Sequence, residues 1–211
     1  MHRVRQHFFY ASHLEVQWVY THLRCKKKRK KRYGSGKSGR GAIPNRVDID
    51  QRPKVVDHKS RIGDWEGDII IGAHDGGAVI ASMVERKTRF MRLVKAKDKT
   101  TTAVIARLNQ YMLSISNLVH TITLDNGKEF SQHEKMAQAL NARVFFAKPY
   151  HSWERGLNEN TNGLVRQYFS KKTRFDKITE SDFQLVENKL NNRPRKCLDY
   201  ETLFEVFSKS Y

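Results

Sequence analysis

The sequence predicts an α/β domain preceded by a basic, flexible arm, and three observations favour this class. Residues 1–61 hold 17 Lys and Arg against 4 Asp and Glu, whereas residues 62–211 hold 23 against 18. Beyond residue 61, short apolar runs typical of buried strands alternate with segments of helical periodicity. A hydrophobic content of 38% is enough for a sizeable core. We therefore divide the chain into a basic N-terminal arm and linker, 1–61, and a domain, 62–211.

The domain begins with three predicted strands. Residues 65–72 form an apolar run with Asp68 at its front, as expected of a buried strand. Residues 78–84 and 90–94 form two more, and the charged residues 85–89 between them favour a turn.

Helices and strands then alternate. The predicted order is a helix over 100–115, a strand over 119–124, a helix over 133–140, a strand over 143–147, a helix over 157–168 and a helix over 179–190. Thr179 and Asp182 form a capping-type start for the last of these. This order predicts a fold of the ribonuclease-H-like kind, with a mixed five-stranded sheet flanked by helices.

The predicted helix over 157–168 has two different faces. Its apolar face is expected to pack on the core and comprises Leu157, Thr161, Leu164, Val165 and Tyr168. The opposite face comprises Glu159, Asn162, Gly163 and Arg166. A lone glutamate beside two asparagines, a glycine and an arginine differs from the Glu/Lys pairs of an ordinary solvated surface. A solvated face is nevertheless the alternative.

Acidic residues lie where the predicted sheet would bind a ligand. Asp68 stands in an apolar strand, where a carboxylate is costly unless it is paired, and a metal ion is one such partner. A strand-edge aspartate facing water is the alternative. Asp125 ends the strand over 119–124, and the following Asn126-Gly127 would suit a hairpin, but the next residues favour a loop and a helix. Carboxyl ends of strands in open α/β sheets are the usual place for ligands.

Together with Glu159, these acids come from two strands and a helix. Such an oxygen-rich set suits Mg²⁺ or Mn²⁺. Two such ions can stabilise the attacking and leaving oxygens of an in-line phosphoryl displacement.

The basic arm indicates a polyanionic partner, and nucleic acid fits better than a membrane surface because no amphipathic apolar face accompanies the charge. Gly34, Gly36 and Gly39 spell G-x-G-x-x-G, but a lysine run precedes them instead of a strand. We therefore expect no nucleotide cofactor. Cys25 and Cys197 form no metal-binding pair, and no apolar run approaches the roughly 20 residues needed to cross a bilayer. These features lead us to expect a soluble, cytoplasmic protein.

Four motifs resemble a known family. They are GDWEGD at 63–68, LDNGKEF at 124–130, SWERGLNENTNG at 152–163 and NNRPRKCL at 191–198. They resemble the DDE signature of bacterial insertion-sequence transposases of the insertion-sequence-thirty family, which share the integrase catalytic core with retroviral integrases. The likeness runs from about residue 20 to the end of the chain.

The resemblance implies that Asp68, Asp125 and Glu159 are the catalytic, metal-holding acids. Glu159 is preferred to its neighbours because it lies three residues after Gly156 and three before Asn162. The nearby alternatives are Glu66, Glu129 and Glu154. The implied reaction is metal-dependent cleavage at the ends of a transposon, followed by attack of the freed 3′-hydroxyl on target DNA by an oligomer of the chain. The expected DNA contacts are Lys128, Asn162, Arg166, Lys171 and Lys172, for which a solvated surface is the alternative.

The sequence also departs from the family pattern. Residues 1–19 match poorly and leave no room for the N-terminal helix-turn-helix that reads the element ends. FSKK at 169–172 replaces the usual FPKG, and Thr202-Leu203 replaces the usual Thr-Pro. Two alternatives therefore stay open. One is a truncated, catalytically impaired remnant that only binds DNA, and the other is a nuclease of the same fold that does not join strands.

Overall fold

Five strands and six α-helices occupy residues 43–73, 77–149, 151, 154 and 156–209, which are the residues that the computed structural model describes. The strands are β1 (Asp64–Ile71), β2 (Val79–Glu85), β3 (Met91–Ala96), β4 (Thr121–Leu124) and β5 (Arg143–Phe146). The helices are α1 (Lys54–His58), α2 (Thr101–Met112), α3 (His133–Leu140), α4 (Gly156–Tyr168), α5 (Glu180–Asn191) and α6 (Leu203–Ser208). Short 3₁₀ turns cover Ile49–Gln51, Leu113–Leu118, Lys128–Phe130, Phe175–Lys177 and Lys196–Leu198. The lysine-rich run, the glycine motif and Cys25 lie outside the described residues.

The strands form one mixed sheet in the order β3-β2-β1-β4-β5. The first three strands pair antiparallel, as consecutive strands joined by short turns can. By contrast, β1 pairs parallel with β4, and β4 pairs parallel with β5, because helices connect them. The predicted mixed five-stranded sheet flanked by helices is thus confirmed.

Each face of the sheet carries its own apolar core. On one face, α2 and α3 contribute buried side chains such as Leu108 and Met136, which pack with Trp65 of β1. On the other face, α4 and α5 contribute Val165 and Phe183. The sheet is therefore the middle layer of three, and its polar residues become buried wherever a helix covers them.

We predicted from their basic charge that residues 43–61 belong to the arm. In the described structure they pack on the sheet. Ile43, Ile49 and Val56 are buried, and the Arg52 guanidinium donates to Thr123 Oγ1 at 2.9 Å. The compact unit that contains the sheet extends from Arg40 to Tyr211.

The free edge of β3 is protected by side chains of α5. Glu187 Oε2 accepts the backbone N–H of Leu93 at 2.5 Å. Asn191 accepts from the N–H of Met91 at 3.0 Å and donates to the carbonyl of the same residue at 2.9 Å. These bonds satisfy strand groups that would otherwise offer a pairing edge to another chain.

Several predicted boundaries change. The helix expected over 100–115 leaves the α-helical path after Met112, and Ile115 has non-helical angles within the following 3₁₀ turn. The capping box of α5 is confirmed, because Thr179 and Asp182 exchange side-chain and backbone hydrogen bonds. The placement of Tyr168 in the core was wrong, since its side chain is 43% exposed and Phe169 is buried instead. Phe169 still donates its N–H to the carbonyl of Val165 at 2.9 Å, so it continues the buried i, i+4 row of Thr161 and Val165.

Two short helices, α1 and α6, were not predicted from the sequence. Among the described helices, none combines the length and apolarity that crossing a bilayer requires.

Candidate active site

Strand β1 directs alternate side chains to the two cores. Trp65 and Ile69 pack on the face covered by α2 and α3. Ile70 packs on the face covered by α4 and α5. By this alternation Glu66 and Asp68 face α4, and both side chains contact that helix. The strand therefore presents two carboxylates to one helix, two residues apart.

Asp68 is held by a hydrogen-bonded chain that links β1, β2 and α4. Asn162 Nδ2 donates to Asp68 Oδ2 at 2.7 Å. Ser82 Oγ donates to Asn162 Oδ1 at 3.0 Å and lies 3.4 Å from the carbonyl oxygen of Asp68. The other carboxylate oxygen, Oδ1, accepts the N–H of Ile69 at 2.9 Å. Asp68 is half-buried, so its carboxylate is both oriented and reachable from solvent.

Asp125 follows β4 directly. In the parallel pair, Asp64 faces Thr121 and Glu66 faces Thr123, and the pairing ends there. If the same offset continued by two residues, Asp125 would stand opposite Asp68, because neighbouring strands lie about 4.8 Å apart. That these two acids share one site stays a prediction.

The turn after Asp125 is not a hairpin. Asp125 Oδ1 accepts the N–H of Gly127 at 3.1 Å, and Asn126 Nδ2 donates to the carbonyl of Ala147 at the end of β5. The chain then enters the 3₁₀ turn Lys128–Phe130 and α3. The side chain of Asn126 thus fixes the loop that carries Asp125.

Glu159 lies on the first turn of α4, and its side chain is exposed. It precedes Asn162 by three residues, so it sits about 60° around the helix from the amide that contacts Asp68. It therefore lies one turn before the residue of α4 that contacts Asp68. Within the described part of the chain, however, no three His, Cys, Asp or Glu side chains are close enough together to hold a metal ion.

The three acids fit a divalent cation in donor type. Asp68 and Asp125 offer carboxylate oxygens, which hard cations prefer. The carboxylate of Glu159 stands on the neighbouring helix turn without converging on that pair. The assignment of the three acids as one metal site stays a prediction.

Two of the three alternative acids, Glu66 and Glu154, are bonded to other parts of the fold. Glu66 is 1% exposed, forms an ion pair with Arg86 and accepts the N–H of Asn158 at 3.3 Å. Burial raises the pKa of Glu66, and burial lowers the pKa of Arg86. Because Glu66 accepts an N–H of the first turn of α4, it acts as a cap for the helix that carries Glu159.

The other two alternatives serve loops. Glu154 Oε2 accepts the N–H of Lys148 at 2.8 Å, and its other oxygen lies 3.1 Å from His151 Nδ1. The carboxylate of Glu129 lies over Gly127, where an added Cβ would come within 2.5 Å of it.

The expected DNA contacts fall into two groups. Lys128, Lys171 and Lys172 are exposed. Arg166 is already bonded within the fold, because it donates to the carbonyls of Ile71 at 2.6 Å and Ser170 at 3.3 Å. Burial lowers its pKa. Asn162, the fifth expected contact, holds Asp68 as described above.

Sequence reasoning missed Ser82, Asn158 and the Glu66–Arg86 pair. The sequence does mark Ser82, because it is a polar residue within the otherwise apolar first six positions of β2. Nothing in the sequence marks Asn158, because its burial follows from the packing of α4 on β1. Its side-chain oxygen and nitrogen are buried with no hydrogen-bond partner in the described structure.

Comparison with known proteins shows which family the chain resembles. Residues 58–152 match the model of the integrase core domain. The chain is 47% identical over 191 residues to the transposase for insertion sequence element IS4351 of Bacteroides fragilis, covering 90% of this chain and 58% of that protein. It is 37% identical over 175 residues to the transposase InsI for insertion sequence element IS30A of Escherichia coli K12, covering 82% and 45%. The chain therefore spans about half the length of the curated relatives it matches.

Solved structures agree on the fold. A chain of the simian T-cell lymphotropic virus intasome superposes with a TM-score of 0.55 at 18% identity, covering 96% of this chain and 69% of that chain. The catalytic core domain of BIV integrase superposes with a TM-score of 0.52 at 21% identity, covering 71% and 96%. The predicted integrase-type, ribonuclease-H-like fold and the predicted family resemblance are both confirmed.

Proposed function

Residues 58–152 are an integrase core domain, and on that premise we propose that this chain is the catalytic part of a DNA transposase. Its reaction would be metal-dependent cleavage at the ends of an insertion element, followed by joining of the freed 3′-hydroxyl to target DNA. The observation that supports the proposal is the parallel pairing of β1 with β4, whose register, continued by two residues, would bring Asp125 opposite Asp68 on the strand that contacts α4.

Asp68, Asp125 and Glu159 are the acids that we assign to catalysis and to holding Mg²⁺ or Mn²⁺. A pair of such ions supplies charge stabilisation and an activated nucleophile in phosphoryl transfer. The chain itself contributes orientation. Asn162 donates to Asp68 and is fixed by Ser82, so the first acid has a defined position before any substrate binds.

We assign Lys128, Lys171 and Lys172 to DNA phosphates, because they are exposed and follow the site loop and the end of α4. Arg166 is proposed to act indirectly. Its two bonds to backbone carbonyls join the ends of β1 and α4, so its removal would displace the exposed lysines that follow.

The proposed partners are the element ends and the target DNA. We further propose that the chain works as a homo-oligomer on DNA in the bacterial cytoplasm, associated with the nucleoid, and that it uses no nucleotide cofactor.

The test is nicking of a duplex that carries the ends of the element, with and without Mg²⁺. Glu159→Gln should lower the nicking rate by roughly a hundredfold or more, because several kcal/mol of charge stabilisation would be lost. Glu134→Gln is the matched control, since it removes the same charge from an exposed position at the start of α3. Equal activity of Glu159→Gln and the wild-type chain would remove Glu159 from the site.

Product analysis separates the remaining alternatives. Joined target DNA supports a transposase, whereas cleavage without joining supports a nuclease of the same fold. Salt-sensitive DNA binding that is unaffected by Mg²⁺ and by loss of the three acids supports a non-catalytic DNA-binding protein.

A further inference from the structure

A polar pocket of about 280 Å³ opens beside the start of α4. It lies between the residue that follows α1, the β2–β3 turn and the first turns of α4. Its lining includes Lys59, Arg86, Arg89, Glu66, Glu154 and Gly156. We propose that this pocket binds a phosphate group of the DNA backbone next to the reacting strand, which makes the inference dependent on the proposed function for its biological ligand.

Among the described residues, three cations and two acids line the pocket. Arg86 is buried, forms the ion pair with Glu66 and donates to the carbonyl of Val56 at 3.1 Å. The carboxylate of Glu154 contacts Lys148 N–H and His151. Glu66 also interacts electrostatically with Lys59, so the described lining keeps one positive charge in excess.

The remaining cations are Lys59, which is exposed, and Arg89, which is half-buried. Within the described part of the chain, no hydrogen bond or ion pair holds the Lys59 ammonium or the Arg89 guanidinium. The described lining holds three cations against two acids, so an added anion would balance its excess positive charge. A tetrahedral oxyanion is the ligand class that matches this arrangement, and Arg recognises it with two parallel N–H groups.

The backbone at both positions makes the choice of residue unusual. Lys59 has φ 52° and Arg89 has φ 65°, in the left-handed region that Gly, Asn and Asp normally occupy. Lys59 ends α1, and Arg89 closes the β2–β3 turn through its N–H to the carbonyl of Glu85 at 2.9 Å. Long basic side chains at two such turn positions, both lining one pocket, indicate that their charge is used.

The position of the pocket indicates which phosphate it would bind. Gly156, Leu157 and Asn160 line it, and Glu159 belongs to the same stretch of α4. The pocket therefore adjoins the turn of α4 that carries the proposed third acid. The bound phosphate would belong to a nucleotide near the reacting one.

The experiment measures binding of the full chain to a short duplex in EDTA over a series of salt concentrations. The variants are Lys59→Gln and Arg89→Gln, alone and together. The matched control is Lys87→Gln, because Lys87 is exposed on the same turn, donates to the carbonyl of Ser60 at 3.0 Å and does not line the pocket. Thermal unfolding of each variant reports whether it is folded.

The double variant should bind about tenfold more weakly, and the slope of log affinity against log salt should fall by about one, as expected for one lost phosphate contact. Lys87→Gln should change affinity by less than about twofold. Inorganic phosphate should compete with the duplex for the wild-type chain and not for the double variant.

Equal affinity and equal salt slope for the double variant and Lys87→Gln would overturn the phosphate pocket. Because the measurement is made without divalent metal, it is independent of nicking. A chain that loses salt-sensitive binding in the double variant but never nicks DNA would contradict the proposed function and leave the pocket standing.

Discussion

The hydrogen-bonded chain from Ser82 through Asn162 to Asp68 makes a testable contribution to the stability of the domain. Asn162→Ala removes both of its side-chain bonds, 2.7 Å to the Asp68 carboxylate and 3.0 Å from Ser82. It leaves the hydroxyl of Ser82, which is fully buried, without its better acceptor.

The magnitude follows from the two bonds. A hydrogen bond to a charged group contributes about 1.5–3 kcal/mol and a neutral one about 0.5–1.5 kcal/mol. Asp68 is half-buried, so water replaces part of the first bond. Ser82 is buried, so the loss of the second is not offset. We expect Asn162→Ala to lower the free energy of unfolding by about 2–3 kcal/mol and Ser82→Ala to lower it by about 1 kcal/mol.

The assay is urea unfolding in EDTA, followed by the fluorescence of buried Trp65. Ser82→Ala, Asn162→Ala and the double variant complete a cycle whose coupling energy should be about 0.5–1.5 kcal/mol. Gln167→Ala, at an exposed position of α4, is the control for helix propensity. A loss below about 0.5 kcal/mol for Asn162→Ala, or a coupling energy of zero, would refute the reasoning.

Three further predictions concern residues of β1 and β2. Gly67→Ala should lower the free energy of unfolding by about 1–3 kcal/mol and slow nicking, because the added Cβ would come within 2.6 Å of Leu124 in β4. Gly156→Ala should be tolerated, because none of the described atoms lies within 4 Å of the added Cβ. Equal unfolding midpoints for the two would contradict this packing. Glu66→Leu should destabilise by about 3–5 kcal/mol because it leaves Arg86 buried and uncompensated, and Glu66→Gln should cost less; equal losses in urea would exclude the ion pair as the cause. Burial raises the pKa of Glu85, so the folded chain holds this proton more tightly than the unfolded chain, and the contribution of this group is complete below the ordinary glutamate pKa and is lost as pH rises through the folded value. As pH rises, the free energy of unfolding of Glu85→Gln should therefore fall less steeply than that of the wild-type chain. An unchanged slope would contradict a raised pKa for Glu85.

The secondary structure was largely predictable because it depends on local periodicity. The apolar strand around Asp68, the helix over 157–168 and the capping box at Thr179 are patterns within a few residues. The failure at Tyr168 is also local in origin. Helical spacing extends the apolar face to that residue, but the core is filled instead by Phe169, which packs with Phe175 and Phe183.

The partners of the acids were not predictable in the same way. Glu66 and Asp68 are two residues apart and face the same helix, and no local pattern distinguishes them. Packing assigns Glu66 to a buried ion pair with Arg86 and gives Asp68 an amide partner while leaving it half-buried. From the sequence alone, Asp68 and Glu66 were both candidates for the first catalytic acid, because both lie in the GDWEGD motif.

By itself, the sequence determined the class of the domain, the order of its elements and the family resemblance, because these depend on spacing and residue type along the chain. Only the tertiary structure decided that β1 pairs parallel with β4, that Ser82 and Asn162 hold Asp68, and that Lys59 and Arg89 line one pocket. The reason is that strand register and helix packing join residues that are 20 to 94 positions apart, and those contacts determine whether a charge is paired, buried or available to a ligand.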